Sequence, residues 1–202
     1  PKAAAAADHP RRINSACRIE PIVADLTPSS APRLLGGVDV IVDGTDNFEA
    51  RFIINELACR DGIPWVHGGA IGAEGRVLSV LPGASACLRC LVPDPPAPGA
   101  LPTCDTAGVI GPVALVVGAV EAAEVMKIVV CSGPPVGNRL LVCDLWDGLW
   151  RTVDLTPLAI VGCPTCRGRD YPWLEGRTGH QTTVLCGRDA VQIAPGPGLA
   201  GV

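Results

Sequence analysis

The chain has 202 residues, a formal net charge of −4 at pH 7, 48 % hydrophobic residues and 18 % charged residues. This composition is typical of an α/β domain with a sizeable core, and it excludes a disordered chain. The negative charge argues against non-specific binding to nucleic acid or to an anionic membrane surface, because both need a positive field on the protein. We therefore expect neither nucleic acid nor a membrane among the partners.

The ten cysteines favour a reduced compartment over a secreted disulfide framework. Such frameworks occur in short chains with small cores, whereas this chain is long and apolar. No signal-peptide pattern follows Pro1, and the longest apolar run, at 107–120, is too short to span a bilayer. We expect a cytoplasmic protein and, because residue 1 is a proline, a fragment or a processed chain.

The first half of the sequence alternates between helical and strand patterns. Helices are predicted at 2–14, 27–36 and 48–60, and strands at 18–25, 38–43 and 64–67. Pro10 is expected to break or shift the first helix, because proline removes an amide donor from the helix interior. The alternation predicts a mainly parallel sheet with helices on its faces.

The second half has a different pattern. Strands are predicted at 76–81, 138–144 and 149–155, and a long apolar helix at 108–130. A proline-rich loop joins the first of these strands to the helix, and a turn at Asp147-Gly148 makes the last two strands an antiparallel pair. The basic, glycine-containing tail after Cys166 has no pattern that predicts a fold.

Two Cys-x-x-Cys knuckles predict a metal site. The first is formed by Cys87 and Cys90, and the second by Cys163 and Cys166, with 72 residues between them. The two-residue spacing lets both sulfurs of a knuckle bind one metal, and four thiolates in a tetrahedral site favour zinc. A closed four-sulfur site leaves no position for water, so we expect a structural Zn²⁺.

Two other interpretations of these cysteines remain open. A redox Cys-x-x-Cys needs only one pair, at the start of a helix in a thioredoxin-like fold, and buried free cysteines also serve as small hydrophobic residues. The second role is the one expected for the five cysteines that lie in strand or helix patterns or in the tail: Cys17, Cys59, Cys131, Cys143 and Cys186.

Cys104 has a different setting, in a loop before the long helix. A thiol near a helix N-terminus has its thiolate stabilised by the helix dipole, so Cys104 is a candidate nucleophile; an inert loop cysteine is the alternative.

A second candidate site follows the buried strand at 38–43, where ligands bind in open α/β sheets. Asp46 could hold Mg²⁺ there. The alternative is that Thr45, Asp46 or Asn47 caps the next helix.

These motifs occur in the order of a known family. They are Val-Asp-Gly-Thr-Asp-Asn at 42–47 with Arg51 and Asn55 after it, Gly-Gly-Ala-Ile at 68–71, the first knuckle, Thr-Cys-Asp-Thr-Ala-Gly-Val at 103–109 and the second knuckle. The chain resembles the ThiF/MoeB/HesA family, bacterial relatives of ubiquitin-activating enzymes, over residues 1–166, with a lean toward the ThiF type.

The resemblance implies a partial Rossmann-like domain at 1–166 and the start of a C-terminal extension at 167–202. It implies an adenylyltransferase that uses ATP and Mg²⁺ to activate the C-terminal glycine of a ubiquitin-like sulfur carrier of the thiamine-thiazole or molybdopterin type. Family members are usually homodimers, which we expect of the full-length protein.

Site residues also follow from the resemblance. Asp46 matches the aspartate that coordinates magnesium, with Asn47 beside it in the cofactor-binding motif. Lys2 lies where the family has a lysine that contacts the phosphates. Cys104 matches a cysteine that forms a covalent link with the carrier in several members, and Asp46 and Cys104 are the predicted catalytic residues.

One difference from the family pattern qualifies this expectation. Family members have a glycine-rich nucleotide loop, an acidic ribose-binding residue and an arginine, all of which precede the point where this chain begins. No Gly-x-Gly-x-x-Gly lies near a predicted strand–helix junction. We therefore expect an N-terminally truncated form that binds ATP poorly. Three alternatives are a zinc-stabilised scaffold that binds a ubiquitin-like partner without catalysis, a zinc-dependent redox protein and a dinucleotide oxidoreductase.

Overall fold

The computed structural model describes residues 1–96, 103–130, 138–160, 162–179, 182–185 and 190–193. In chain order its elements are α1 (Lys2–Ile13), α2 (Ala31–Leu35), β1 (Ile41–Asp43), α3 (Phe48–Asp61), β2 (Trp65–Ile71), β3 (Glu74–Val80), α4 (Leu88–Leu91), α5 (Cys104–Ala107), α6 (Gly111–Val130), β4 (Arg139–Asp144), β5 (Leu149–Asp154), α7 (Thr156–Ile160), β6 (Thr182–Leu185) and β7 (Ala190–Ile193).

Strands β1 to β5 form one sheet in the order β1-β2-β3-β4-β5, and β6 and β7 form a separate hairpin. The predicted α/β class and the late antiparallel pair β4–β5 are confirmed. The five-stranded sheet is mixed: β1 and β2 run parallel, whereas the three other neighbouring pairs are antiparallel. The parallel part is smaller than predicted because Gly72 and Ala73 close a tight hairpin between β2 and β3, with Gly72 at a φ of 57°.

Two local predictions near the N-terminus were wrong, and a third was right only in part. Residues 18–25 form no strand, and Pro10 lies inside α1 without ending it. The helix predicted at 27–36 is shorter than expected, since α2 begins at Ala31. Thr27 nevertheless caps this segment as predicted: its hydroxyl accepts the N–H of Ser30 at 3.2 Å, its carbonyl accepts the N–H of Ala31 at 2.9 Å, and the Ser30 hydroxyl accepts the N–H of Thr27 at 2.9 Å.

Helices cover both faces of the sheet. Consecutive β2 residues point to opposite faces, so that Trp65 belongs to the core built with α3 and Val66 to the core built with α6. Both side chains are fully buried. Helix α6 contributes Val113 and Val117 to the second core. Within the described residues, no helix combines the length and apolarity needed to cross a bilayer.

The segment after the second knuckle packs into the main core. Tyr171, Trp173 and Leu174 are buried there, and the Trp173 ring lies 5.3 Å from the Phe52 ring of α3. The N–H of Leu174 donates to Glu56 Oε2 at 2.8 Å. These residues are thus part of the same core as α3, although the predicted domain boundary at residue 166 precedes them.

Candidate active site and metal centre

The four knuckle cysteines form one cluster. Their sulfur atoms lie within 4.8 Å of one another, at 3.8 Å from Cys87 to Cys90, 3.7 Å from Cys87 to Cys163 and 3.6 Å from Cys90 to Cys166. A tetrahedral site with Zn–S bonds of about 2.3 Å has sulfur–sulfur distances of about 3.8 Å. The cluster therefore has the dimensions that a zinc ion needs, as the sequence predicts.

The main chain of each knuckle turns tightly. The N–H of Cys90 donates to the Cys87 carbonyl at 3.0 Å, and the N–H of Gly168 donates to the Cys163 carbonyl at 3.0 Å. A Cβ atom at Gly168 would lie 2.6 Å from the Pro164 carbonyl oxygen, so the second turn requires glycine. These turns aim both sulfurs of a knuckle at the same point.

Side chains outside the two motifs fix the knuckles to the fold. Asn55 of α3 accepts the N–H of Leu88 at 2.9 Å, which holds the first knuckle against that helix. Arg89 donates to the Thr165 hydroxyl at 3.2 Å and so links one knuckle to the other. Sequence reasoning did not find these bridging contacts, because neither polar pair has a spacing signal; only the fold brings them together.

The thiols of the cluster affect one another. Hydrogen bonds from Cys163, Cys59 and Cys90, in that order, lower the pKa of the Cys87 thiol. Burial and its neighbours raise the pKa of the Cys166 thiol to about 12. The cluster therefore favours a thiolate at Cys87, and a bound cation would allow the remaining thiols to ionise.

A buried carboxylate holds the loop after β1 in place. The Asp43 carboxylate accepts the N–H of Thr45 at 2.8 Å through Oδ1 and the ring N–H of His67 at 2.9 Å through Oδ2. Burial alone would raise the pKa of Asp43, but the hydrogen bond from His67, its charge and the Thr45 N–H outweigh burial and lower it. The ionised carboxylate thus holds the loop that carries Asp46.

Asn47 caps the next helix, and Asp46 does not. Asn47 Oδ1 accepts the N–H of Ala50 at 2.8 Å at the start of α3. The cap that the sequence left open among three residues is therefore Asn47. Asp46 is exposed at the carboxyl end of β1, where its carboxylate is available to a ligand.

Two unpaired polar atoms flank Asp46 among the described residues. They are Thr45 Oγ1 and Arg51 Nε, both buried and both without a hydrogen-bond partner. The other end of the Arg51 guanidinium donates to the Thr45 carbonyl at 2.5 Å. A buried donor and a buried hydroxyl beside a carboxylate fit a site for a phosphate with its magnesium ion. The Mg-ATP site predicted at Asp46 stays a prediction.

Cys104 lies at the same edge of the sheet as Asp46. It is half-buried, and its Sγ lies 3.8 Å from the carbonyl oxygen of Ala70 near the end of β2. Because β1 and β2 are parallel, the ends that carry Asp46 and Ala70 meet at one edge. Arg51 interacts electrostatically with both Asp46 and Cys104.

The setting of Cys104 differs from the sequence prediction in one respect. Cys104 begins the short helix α5, which Thr103 caps, and the long helix α6 starts later, at Gly111. Two backbone hydrogen bonds of Gly72 hold this segment over the sheet, one with Gly108 at 2.8 Å and one with Ile110 at 2.9 Å. Position over the strand ends, not the dipole of a long helix, is therefore what distinguishes Cys104.

The remaining predicted residues have mixed outcomes. Lys2 is exposed at the first position of α1, and its predicted contact with the phosphates stays a prediction. Cys143 is buried as expected, Cys17 is exposed, and Cys59 lies beside the metal cluster. Cys131 and Cys186 lie outside the described residues.

A second buried carboxyl lies behind the strand-end loop. Glu121 of α6 faces Gly68 of β2, and its Oε1 is buried without a partner among the described residues. Burial, and secondarily the charge of Asp43, raises the pKa of Glu121 to about 7.

The sequence profile of the ThiF family matches residues 1–165. The chain belongs to the ThiF family. It is 38 % identical over 193 residues to the sulfur carrier protein ThiS adenylyltransferase of Bacillus subtilis, covering 96 % of this chain and 56 % of that protein. It is 37 % identical over 166 residues to the SAMP-activating enzyme E1 of Haloferax volcanii, covering 82 % and 60 %.

Solved structures show the same ThiF-type fold. The crystal structure of E. coli MccB with ATP superposes with a TM-score of 0.65 at 15 % sequence identity, covering 82 % of this chain and 50 % of MccB. The MccB structure with AMPCPP and MccA gives a TM-score of 0.68 at 15 % identity, covering 83 % and 51 %. The chain spans a little over half the length of the two ThiF-family relatives named above.

Proposed function

We propose that this ThiF-family protein adenylylates the C-terminal glycine of a ubiquitin-like sulfur carrier. The carrier carboxylate would attack the α-phosphorus of ATP, forming the acyl-adenylate and releasing pyrophosphate. The observation that supports the proposal most is the strand-end site, in which Asp46 is exposed at the carboxyl end of β1 and interacts electrostatically with Arg51. The relatives named for carrier adenylylation support the same chemistry.

Each site residue has a separate task in this proposal. Asp46 would hold Mg²⁺, which supplies positive charge to the phosphates when it is bound. Arg51 would place a cation beside the phosphoryl oxygens, on which negative charge develops, and Lys2 would contact the phosphates from α1. The Cys104 thiol, over the end of β2, would attack the carbonyl carbon of the acyl-adenylate; the bond to the phosphate breaks, AMP leaves with the thiol proton, and the carrier is left as a thioester on Cys104.

The cluster of four thiols supports this site structurally. It holds the segment after α7 to the first knuckle, and the first knuckle is held to α3, the helix that begins immediately after Asp46 and Asn47. Zinc is therefore proposed to stabilise the helix on which the strand-end loop depends, with no part in the chemistry.

ATP–pyrophosphate exchange tests the proposal. The chain is incubated with MgATP, labelled pyrophosphate and a carrier protein that ends in Gly-Gly, and compared with the Asp46→Asn variant. We expect exchange that requires the carrier and is lost in the variant. Exchange that is absent with every carrier tested would refute the proposal. The prediction that this polypeptide alone binds ATP poorly is tested separately by calorimetry with ATP, and robust exchange would contradict it.

The alternative function, a non-catalytic scaffold, can be distinguished from adenylylation with the same reagents. Calorimetry with the carrier alone and with ATP alone measures the two affinities separately. Carrier binding without any exchange would favour a scaffold.

The homodimer expected of the full-length protein is tested by light scattering during gel filtration, where a mass of one chain would contradict it.

A further inference from the structure

The segment after the second knuckle lies along one face of α3. Glu49, Phe52 and Glu56 are three and four residues apart in sequence, a spacing that places them on the same side of a helix. Each of them meets a residue of 171–179, a segment that we name the α3 strap. The strap therefore follows α3 from Glu56 back to its first turn.

Two contacts hold the strap to the middle of α3. The N–H of Leu174 donates to Glu56 Oε2 at 2.8 Å, and the centre of the Trp173 ring lies 5.3 Å from the centre of the Phe52 ring. All four residues are buried. Because a buried N–H without its acceptor and a core without its ring would both cost free energy, this part of the strap is firmly seated.

A third contact brings the strap to the first turn of α3. A Cβ atom on Gly179 would lie 3.1 Å from Glu49 Oε1, so the main chain of the strap approaches this side chain closely. Before this point the strap folds on itself, and the Pro172 carbonyl accepts the N–H of Arg177 at 2.8 Å. The strap thus ends beside the helical turn that the Asp46 loop enters.

The loop that carries Asp46 depends on that first turn. Asn47 Oδ1 accepts the N–H of Ala50 at 2.8 Å, and the Arg51 guanidinium donates to the Thr45 carbonyl. The two helix residues that make these hydrogen bonds lie between the first two positions of α3 that the strap contacts. A shift of the first turn would therefore move the loop with it.

We propose that the α3 strap is a positioning segment of the adenylation site, which holds the first turn of α3 and thereby fixes the Asp46 carboxylate at the strand end. This inference rests on the proposed function. The strap acts through Asp46 and would contact no reacting atom itself. Its loss should therefore weaken the use of MgATP more than the use of the carrier.

Hydrogen–deuterium exchange of the full chain tests this coupling without relying on activity. Trp173→Ala removes the ring that seats the strap, and Trp173→Phe keeps an aromatic ring against Phe52. We expect the amides of 43–51 to exchange about tenfold faster in Trp173→Ala, whereas those of β3 at 74–80 keep their rates. Trp173→Phe should restore the unmodified rates. If Trp173→Ala does not fold, Trp173→Leu makes the same comparison.

Leu155→Ala is the matched control for these variants. It also removes a buried side chain from the same core, but it lies outside both the strap and α3. The amides of 43–51 should exchange at the unmodified rate in this variant.

ATP–pyrophosphate exchange supplies the second readout. In Trp173→Ala the KM for MgATP should rise several-fold while the KM for a carrier ending in Gly-Gly stays unchanged, and Trp173→Phe should recover the unmodified values. A chain that shows no exchange with any carrier would refute the proposed function. The hydrogen-exchange result then decides the role of the strap alone.

Four results would overturn the positioning role. Unchanged rates at 43–51 in Trp173→Ala would show that the strap does not hold the loop. Equal acceleration at 43–51 and 74–80, or the same acceleration in Leu155→Ala, would make Trp173 a general core residue. A rise of both KM values by the same factor would show that the effect is not directed at the MgATP site.

Discussion

Asp43 and His67 form a buried pair across the two parallel strands, with His67 Nδ1 2.9 Å from Asp43 Oδ2. The other carboxylate oxygen of Asp43 holds the N–H of Thr45, the residue before Asp46. The candidate magnesium ligand is thus exposed, while the residue that fixes its loop is 1 % exposed. This arrangement separates the group that would meet the ligand from the group that positions it.

Substitution of Asp43 should destabilise the fold. Asp43→Ala leaves the His67 ring and the Thr45 N–H without their buried acceptor, and we expect the free energy of unfolding to fall by about 3 kcal/mol. Asp43→Asn keeps an oxygen for Thr45 and should cost less. Urea denaturation of the two variants beside Asp39→Ala, which changes an exposed aspartate, measures the difference. Equal stability of all three would contradict a positioning role for Asp43.

Gly68 should not tolerate a side chain while Glu121 is present. A Cβ atom there would lie 2.5 to 2.7 Å from the Glu121 carboxyl group, so Gly68→Ala is expected to cost about 1–3 kcal/mol of stability. Gly69→Ala is the matched control, because its Cβ would meet nothing nearer than 3.6 Å. In a double-mutant cycle, Glu121→Ala should remove most of the penalty of Gly68→Ala. Additive effects would show that the two residues do not meet.

The stability of the chain should depend on pH through Glu121. Its pKa is raised from 4.5 to about 7 in the folded state, so the folded chain binds more protons than the unfolded chain between these values. This contribution to stability is complete below about pH 4.5 and is lost as pH rises through about 7. Thermal unfolding of Glu121→Gln should show a smaller loss over this interval. Glu20→Gln, at an exposed position, serves as the control, and identical pH profiles would contradict the prediction.

Removal of one knuckle sulfur should remove the metal. Cys163→Ser leaves three thiolates, and we expect its zinc content to fall well below the one ion per chain that we expect of the unmodified protein, with a loss of several kcal/mol in stability. Mass spectrometry of metals and thermal unfolding measure the two effects, with Cys17→Ser as the matched control. Full zinc content in Cys163→Ser would exclude the four-thiolate site.

The sequence predicts the four-cysteine cluster well because the spacing that brings two thiols together is local. Two residues between cysteines determine each knuckle, and only the pairing of the knuckles depends on the fold. Most helix and strand positions after residue 38 are also predictable, since β-branched runs and helical periodicity are strong there. Asn47 is predictable as one of three possible caps.

The contacts that support the site are not visible in the sequence. Asn55 and Arg89 act through tertiary packing, and no spacing rule connects them to the residues they touch. The β2–β3 hairpin was missed because its turn depends on the left-handed conformation of Gly72, beside other glycines that adopt different conformations. The pattern at 18–25 resembles a strand but has no neighbouring strand to pair with in the described part of the chain.

Intact-mass spectrometry of the carrier tests the proposed activity most directly. A carrier ending in Gly-Gly is mixed with the chain and MgATP and analysed before hydrolysis, beside the same mixture containing Asp46→Asn. We predict that a fraction of the carrier gains the mass of one adenylate with the unmodified chain and none gains it with the variant. A carrier that binds the chain but keeps its own mass in both mixtures would contradict adenylylation.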